Sequence, residues 1–494
     1  MDCDVLICGL GPVGQLLALL LGDRGVATIA IDRAPEPYTL PRAAVIDDEV
    51  LRIMQSVDLD RAILADAQVQ PGASIVTAAG RPVEVFRSRT GPLGHPPLVS
   101  INQPSMERTL LAALAQRPSV EVRRGVALDV LDRRADRVET FVRPTGGGPS
   151  ERIRSRWLVG CDGAGSAVRA RLQVPFGGRT APQRWIVVDA LVDRPLVQVP
   201  HPHFVASAEE RIVTLPMSPG RHRWEWMLRP GEDAEPRLRP EAISRAIEPW
   251  LDGETAEIER AVVYTFHTRT ASRWRVGRAL LAGDAAHVMP PFAGQGFSSG
   301  ARDAANLAWK LADVLAGAPD ALLDSYEAER KPHVAAMQRL ATTMGGLVQA
   351  TDPRLIRARD ALLHTFDGTR LQRWAATNVK PLPTYGAGAF AQRPARIPTR
   401  RTGGTLFPQS DRLDDRLPRG WAAVAVDDLA ASLLAEEGLP VLDAGADGTW
   451  LRQRGLTWAL LRPDRFVFGA GRAEQIGPVC AAWRATAAPA GALA

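Results

Sequence analysis

In residues 283–300, GDAAHVMPPFAGQGFSSG, a single carboxylate, Asp284, sits among four glycines and a Pro290–Pro291 pair, directly after the apolar run Ala279 to Ala282. A carboxylate placed just past a buried strand can accept hydrogen bonds from sugar or polyol hydroxyls. The following GQGFSS offers successive backbone N–H groups at a helix start, a disposition that stabilises partial negative charge. The pattern suits a cradle for something flat and electron-rich, and a plain strand-to-helix loop is the competing reading.

Two further stretches have related chemistry. In GLGPVG, Gly9 permits a tight turn, Gly11 lets the backbone approach a pyrophosphate, and Gly14 lets helix and strand pack closely. Asp32 follows Gly14 by 18 positions, close to the spacing of an acid that meets a ribose hydroxyl. In WLVGCDGAGSAVRARL a strand ends at Cys161, Asp162 and Gly163 turn the chain, and Ser166 can cap a helix carrying Arg169 and Arg171. An ordinary capped helix is the competing reading of this second stretch on local grounds.

The elements that must hold these residues alternate. DVLICGL, PVGQLLALLLGDRG and VATIAIDR form a βαβ unit. YTLPRAAVIDDEVLRIMQSV is turn-rich and is expected to enter a helix after Pro41, residues 71–100 to form strands and loops, and Ser105 to Gln116 to be helical. Short β-like runs with Trp over 175–275, such as RIVTLPM and HRWEWML, predict a mainly antiparallel second domain. Helix resumes at Ser299 and runs, with breaks, to about Ala350. A Pro-rich connector, RPARIPTRRTGG, leads to a last unit with strands WAAVAV, LTWALLRP and FVFGAG, and the tail RATAAPAGALA reads as frayed.

A chain of 494 residues exceeds one ordinary core. Of its 60 cationic residues only three are lysines, and the arginines are scattered among acids, which argues against a nucleic-acid partner. Cys3, Cys8, Cys161 and Cys480 show no CxxC and no metal spacing, in keeping with a reducing cytoplasm and no metal. The run Val5 to Leu21 is preceded by Asp2 and Asp4 and punctuated by glycine, unlike a signal peptide, and no apolar stretch is long enough for a membrane span. His201 and His203 lack a third ligand and read as solvated. His287 is as readily a hydrogen-bonded structural residue as a catalytic one, and Trp224 and Trp226, on one strand face, are either pocket wall or core.

GLGPVG with Asp32, then DGAGSAVR, then GDAAHVMPPFAGQGFSSGARDAANLAWKL, in that order, resemble the single-component FAD-dependent aromatic hydroxylases of the p-hydroxybenzoate hydroxylase fold. Within them the chain is most similar to hydroxyphenylpropionate hydroxylase and the polyketide-tailoring oxygenases. PRAAVIDDE, INQPSMERTLL, SYEAERKPH and HRWEWML extend the likeness over most of residues 1–340.

The resemblance implies an α/β fold: a Rossmann-like FAD-binding domain over 1–174 and 276–395, a β-sheet substrate domain over 175–275 with a contribution from about 71–104, and a thioredoxin-like C-terminal domain over 400–494 that lacks CxxC. It implies that Gly9, Gly11, Gly14, Asp32 and Arg33 hold the ADP half of noncovalent FAD, and that Gln103 and Asp284 meet the ribityl chain. Asp162 would support both FAD and a transient NADPH or NADH, with no dedicated domain for the latter. Pro291 and the amides of Gly294, Gly296 and Phe297 would flank the isoalloxazine, Arg42 would face the flavin and pyrophosphate side, and Arg42 and Pro291 are the candidate catalytic residues. A salt bridge from Arg42 to Asp47 or Asp48 is the competing reading for that arginine. The implied reaction is O2-dependent hydroxylation of a phenolic or polycyclic aromatic, polyketide-like substrate through a C4a-hydroperoxyflavin, with Trp224 and Trp226 as candidate substrate contacts. Baeyer–Villiger insertion and flavin binding without turnover are the alternatives. No general base stands out, and the oligomeric state is open, a homodimer included.

Overall fold

A computed structural model describes residues 1–207, 209–380, 383–391 and 402–487. The connector expected at 393–404 lies, but for 402–404, outside the described residues, as does the tail from 488.

The βαβ unit forms as its pattern requires. Cys3–Cys8 pairs in parallel with Thr28–Asp32 on one side and with Glu151–Gly160 on the other, and the helix Pro12–Gly22 makes the crossover. These strands are apolar nearly throughout, because both faces of a parallel sheet are covered. The eight-stranded sheet runs in the order Arg275–Val276, Ala279–Leu281, Glu151–Gly160, Cys3–Cys8, Thr28–Asp32, Val120–Arg124, with Val126–Arg133 and Val138–Pro144 branching from Glu151–Gly160.

A second eight-stranded sheet runs His287–Val288, Ala256–Ala271, Phe176–Val192, Arg221–Met227, Arg211–Pro216, His203–Ala206, Gly72–Val76, Pro82–Arg87. It is antiparallel except where His203–Ala206 meets Gly72–Val76. Side chains alternate across it with period two. Ile186, Val188, Trp224, Ala261 and Val263 form one apolar face, packed beneath the helix Pro240–Leu251 through Ile243 and Ile247. The opposite face, with Val213, Leu215, Arg223 and Glu225, looks into the main cavity.

The stretch 283–300 joins the two sheets. It leaves Ala279–Leu281 in the first sheet, makes a single helical turn over Gly283–Ala285, and lends His287–Val288 to the edge of the second. It then enters the helix Gln295–Leu315, four residues earlier than the sequence pattern suggested. The helix expected after Pro41 begins only at Asp48, with Asp47 as its N-cap accepting from the Val50 amide at 3.1 Å, and residues 41–44 are irregular and lead into the short strand Val45–Ile46. Asp is a strong N-cap, and its side chain sets the start. Past Gln349 two helices not anticipated from sequence follow, Pro353–Phe366 and Arg370–Asn378.

The C-terminal residues fold around a four-stranded sheet ordered Val441–Asp443, Ala422–Ala425, Trp458–Leu461, Val467–Gly471. Buried ion pairs dock it on the rest. Arg52 grips Asp414 at 2.6 and 2.9 Å, and Arg462 grips Glu329 at 2.9 Å through each of two nitrogens. No helix among the described residues is long and apolar enough to cross a membrane.

Candidate active site

The principal cavity, about 440 Å³, lies between the two sheets. Gly11, Pro12 and Val13 at one helix start and Gly294 to Phe297 at another line it, so two positive helix ends face the same space.

The glycines divide into two kinds. A Cβ on Gly9, whose φ is +102°, would stand 2.5 Å from the Cys161 carbonyl oxygen, and one on Gly14 would stand 1.9 Å from the Gly9 carbonyl oxygen. These two are required by the packing of strand, turn and helix. A Cβ on Gly11 or Gly296 would meet nothing within 4 Å. Both line the cavity, so there a side chain would fill the space a cofactor needs. Gly294 has φ +62°, and a Cβ there would lie 2.3 Å from Val45 Cγ2. Pro291 heads the short turn before it and lines the cavity.

Asp32 closes the glycine turn from behind, accepting from the Leu10 amide at 2.7 Å and the Ala34 amide at 2.8 Å. Arg33, next to it, is exposed. Asp162 secures its own turn, accepting from Ser166 Oγ at 2.5 Å and the Val168 amide at 3.0 Å, while Gly163 rather than Asp162 lines the cavity. Arg169 crosses from this turn to the Ala285 carbonyl at 2.8 Å. Gln103 accepts from the Ala43 amide at 2.6 Å and donates to Glu107 at 2.7 Å, and Gln15 donates to the other Glu107 oxygen at 3.1 Å. Burial raises the Glu107 pKa, with Gln103 and Gln15 opposing.

Asp284 lines the cavity and opens toward it, and no described residue hydrogen-bonds its carboxylate. Protein on the other sides raises its pKa by burial, against the pull of His287 and Arg42. Its loop is fixed by Asp303, which accepts from the Gly283 amide at 3.1 Å, His287 Nε2 at 2.6 Å and Arg330 Nε at 2.9 Å. Burial works against that carboxylate's charge, yet His287 and Arg330 outweigh it and lower its pKa. His287 is therefore placed as a structural residue.

Arg42 is exposed, stacks over Tyr38 at 4.2 Å and lines the cavity. The salt bridge to Asp47 or Asp48 is not what forms. Arg302 and Lys380 hold Asp47, Lys380 reaches Asp48 at 3.2 Å, and Arg42 precedes the helix these acids start. Its carbonyl is held instead, by Arg223 Nη1 at 3.0 Å.

These residues assemble a glycine cradle between two helix starts, an uncommitted carboxylate beside it, and an apolar wall from Phe204, Val213, Leu215 and Phe292. Residues 2–341 match the family described as FAD binding domain. The chain belongs to that family. Two curated members are similar over most of its length: a probable NADH-specific resorcinol 4-hydroxylase of Rhodococcus jostii, 33% identical over 95% of this chain and 92% of the relative, and a 3-(3-hydroxy-phenyl)propionate/3-hydroxycinnamic acid hydroxylase of Shigella sonnei, 37% identical over 79% and 70%. Among solved structures, the anhydrotetracycline hydroxylase OxyS of Streptomyces rimosus superposes with TM-score 0.76 at 26% identity over 99% of this chain and 100% of that one. The flavin-dependent monooxygenase PieE shares the fold with TM-score 0.79 at 22% identity over 98% of both. FAD is thus the cofactor of this family member, and its class is the FAD-dependent aromatic monooxygenases.

Trp224 and Trp226 are not at the site. Trp224 is fully buried beneath the helix Pro240–Leu251 and Trp226 packs on the same cluster. Alternation along the strand sends their neighbours Arg223 and Glu225 to the cavity. His203 is buried rather than solvated, and burial takes its pKa down to about 4, while His201 Nε2 lies 2.9 Å from Ser74 Oγ. Sequence reasoning also passed over Asp303, Glu107 and Lys380. A charged residue on the apolar face of a helix, as Asp303 is, was the available signal for the first.

Proposed function

We propose that the protein is an NAD(P)H- and O2-dependent hydroxylase of a phenolic or polycyclic aromatic compound. The observation that carries this reading is a single cavity in which the glycine cradle and Asp284 face an apolar wall wide enough for an aromatic ring. The hydroxylases among its relatives support the same substrate class, and the name of the Rhodococcus relative favours NADH as hydride donor.

On this reading Gly9, Gly11 and Gly14 with Asp32 and Arg33 hold the adenosine diphosphate half of FAD. Asp284 and Gln103 hold the ribityl chain, and Asp162 supports its own turn against cofactor and nicotinamide. Pro291 and the amides of Gly294, Gly296 and Phe297 flank the ring, where fixed N–H dipoles stabilise negative charge without reorganising. FAD, when bound, supplies acceptance of a hydride and activation of O2. Arg42 supplies a fixed positive charge at the mouth. Phe204, Val213, Leu215 and Phe292 exclude water from the substrate ring. We assign residues 1–174 and 276–395 to the FAD domain, 175–275 with about 71–104 to the substrate domain, and 400–494 to a thioredoxin-like unit. Its one cysteine, Cys480, is buried with a raised thiol pKa, which supports a structural rather than a redox role. Four free thiols are compatible with the cytoplasmic residence proposed for the chain.

The test is NADH oxidation by the yellow, FAD-loaded protein with and without resorcinol or 3-(3-hydroxyphenyl)propionate. Stimulation with formation of a hydroxylated product supports the reading, and oxidation indifferent to every phenol contradicts it. Acid precipitation should release all the flavin, because no covalent link is expected.

A further inference from the structure

Glu225 is a carboxylate in an unusual position. It is 7% exposed, it lines the main cavity, and no described residue donates a hydrogen bond to it. Its nearest cation is committed elsewhere. Arg223 donates Nε and Nη2 to Asp189 at 2.6 and 3.0 Å, Nη1 to the Arg42 carbonyl at 3.0 Å, and Nη2 to the Pro41 carbonyl at 3.3 Å. That leaves Arg223 Nη1 3.8 Å from Glu225, too far for a hydrogen bond. A buried carboxylate without a partner is costly and needs a reason.

The wall around it supplies one. Val187 and Val213 stand directly opposite Glu225 on the two neighbouring strands and carry no charge. The charged groups that act on it are Arg223 on its own strand, Asp189 on Phe176–Val192 and Arg260 on Ala256–Ala271, and the cavity it lines is also lined by Arg42, Asp47, Asp284 and Lys380. Burial raises the Glu225 pKa to about 7, Arg223 and Arg260 opposing and Asp189 adding to the rise. A base poised near neutrality at the wall of a substrate cavity suits proton abstraction.

We propose that Glu225 is the catalytic residue that takes the phenolic proton of the substrate. The proposal rests on the hydroxylase reading above. The substrate O–H bond breaks, its electron pair stays on oxygen as phenolate, and a new O–H bond forms on the Glu225 carboxylate. The proton returns to water once the product leaves.

The test is a pH series of binding to the FAD-loaded protein, using 4-nitrophenol and 3-(3-hydroxyphenyl)propionate as probes. Phenol and Glu225 share one proton in the complex. Affinity for 4-nitrophenol should fall tenfold or more between pH of about 6 and about 9, as the pair loses that proton and two anions face each other. Glu225→Gln should bind 4-nitrophenol with nearly flat pH dependence and lower kcat on a turned-over phenol about a hundredfold or more. Glu225→Asp, which keeps the carboxylate, should keep the pH dependence. Equal pH profiles and equal kcat in the unaltered protein and Glu225→Gln overturn the proposal and leave the hydroxylase reading standing. Failure of the unaltered protein to bind any phenol removes both. FAD content and melting temperature of each variant separate a folding defect from these outcomes, and Glu225→Ala, which also removes the carboxylate and should show the same flat profile and lowered kcat, decides if Glu225→Gln does not fold.

Discussion

Arg223 Nη1 donates to the carbonyl oxygen of Arg42 at 3.0 Å, so one buried guanidinium joins the substrate-side sheet to the segment that brings Arg42 to the cavity. The same side chain holds Asp189 on two nitrogens, with Arg260 3.6 Å from that carboxylate.

Arg223→Met should therefore be destabilising by about 3–5 kcal/mol, because it leaves Asp189 buried with a distant and poorly bonded partner. Urea unfolding measures it. A loss below about 1 kcal/mol would put the pair in the range of surface ion pairs.

Asp284→Ala should weaken FAD binding by about 1.5–3 kcal/mol, roughly ten- to a hundredfold, since its carboxylate serves no other partner among the described residues. His287→Ala removes a donor to Asp303 and should show mainly as a lowered melting temperature. Matching FAD dissociation constants for the two variants would count against this division.

Arg42→Ala tests whether the fixed positive charge at the cavity mouth draws in the phosphates of the nicotinamide cofactor and the reducing flavin. With Asp47 and Asp48 engaged by Lys380, the exposed Arg42 has little part in stability. Anaerobic reduction by NADH in the presence of a bound phenol should slow about tenfold, on the order of 1.4 kcal/mol, at an unchanged melting temperature. Normal reduction with a lowered melting temperature would return Arg42 to structure.

Glu329 sets an acid limit on stability. Burial pushes its pKa up, but Arg462 and Lys310 outweigh burial and bring it from an ordinary 4.5 down to about 2. A carboxyl whose folded pKa is depressed stabilises above its unfolded value and loses that contribution as pH falls toward the folded one. Arg462→Leu should be less stable than the unaltered protein by about 3 kcal/mol near neutrality, with the gap narrowing between pH of about 4.5 and about 2. A gap independent of pH over that window would disprove the assignment to Glu329.

Much of the cradle was legible because glycine and helix-start chemistry is local. Gly9 and Gly14 declare a close approach that no other residue allows, and Gly11, Gly296 and Asp284 stand where their motifs put them, on one cavity. Roles that depend on which side of a strand faces inward were harder. In HRWEWML the two tryptophans drew attention, yet the period-two alternation serves Arg223 and Glu225 to the cavity, and only pairing with Phe176–Val192 and Arg211–Pro216 decides which set turns inward. For the acids of PRAAVIDDE, local spacing offers Arg42 as a partner only as the competing reading of that arginine. Their partners are Arg302, on the helix Gln295–Leu315, and Lys380, just past the helix Arg370–Asn378, 255 and 333 residues from Asp47, a distance no local pattern conveys.

The most direct measurement is mass spectrometry of the product formed from resorcinol or 3-(3-hydroxyphenyl)propionate by FAD-loaded protein and NADH under ¹⁸O₂, beside a parallel reaction in H₂¹⁸O. One labelled oxygen atom on the aromatic ring from ¹⁸O₂, and none from labelled water, is the result expected of a flavin monooxygenase with this cavity. NADH consumed with no labelled organic product from any phenol, or label arriving from water alone, would contradict it.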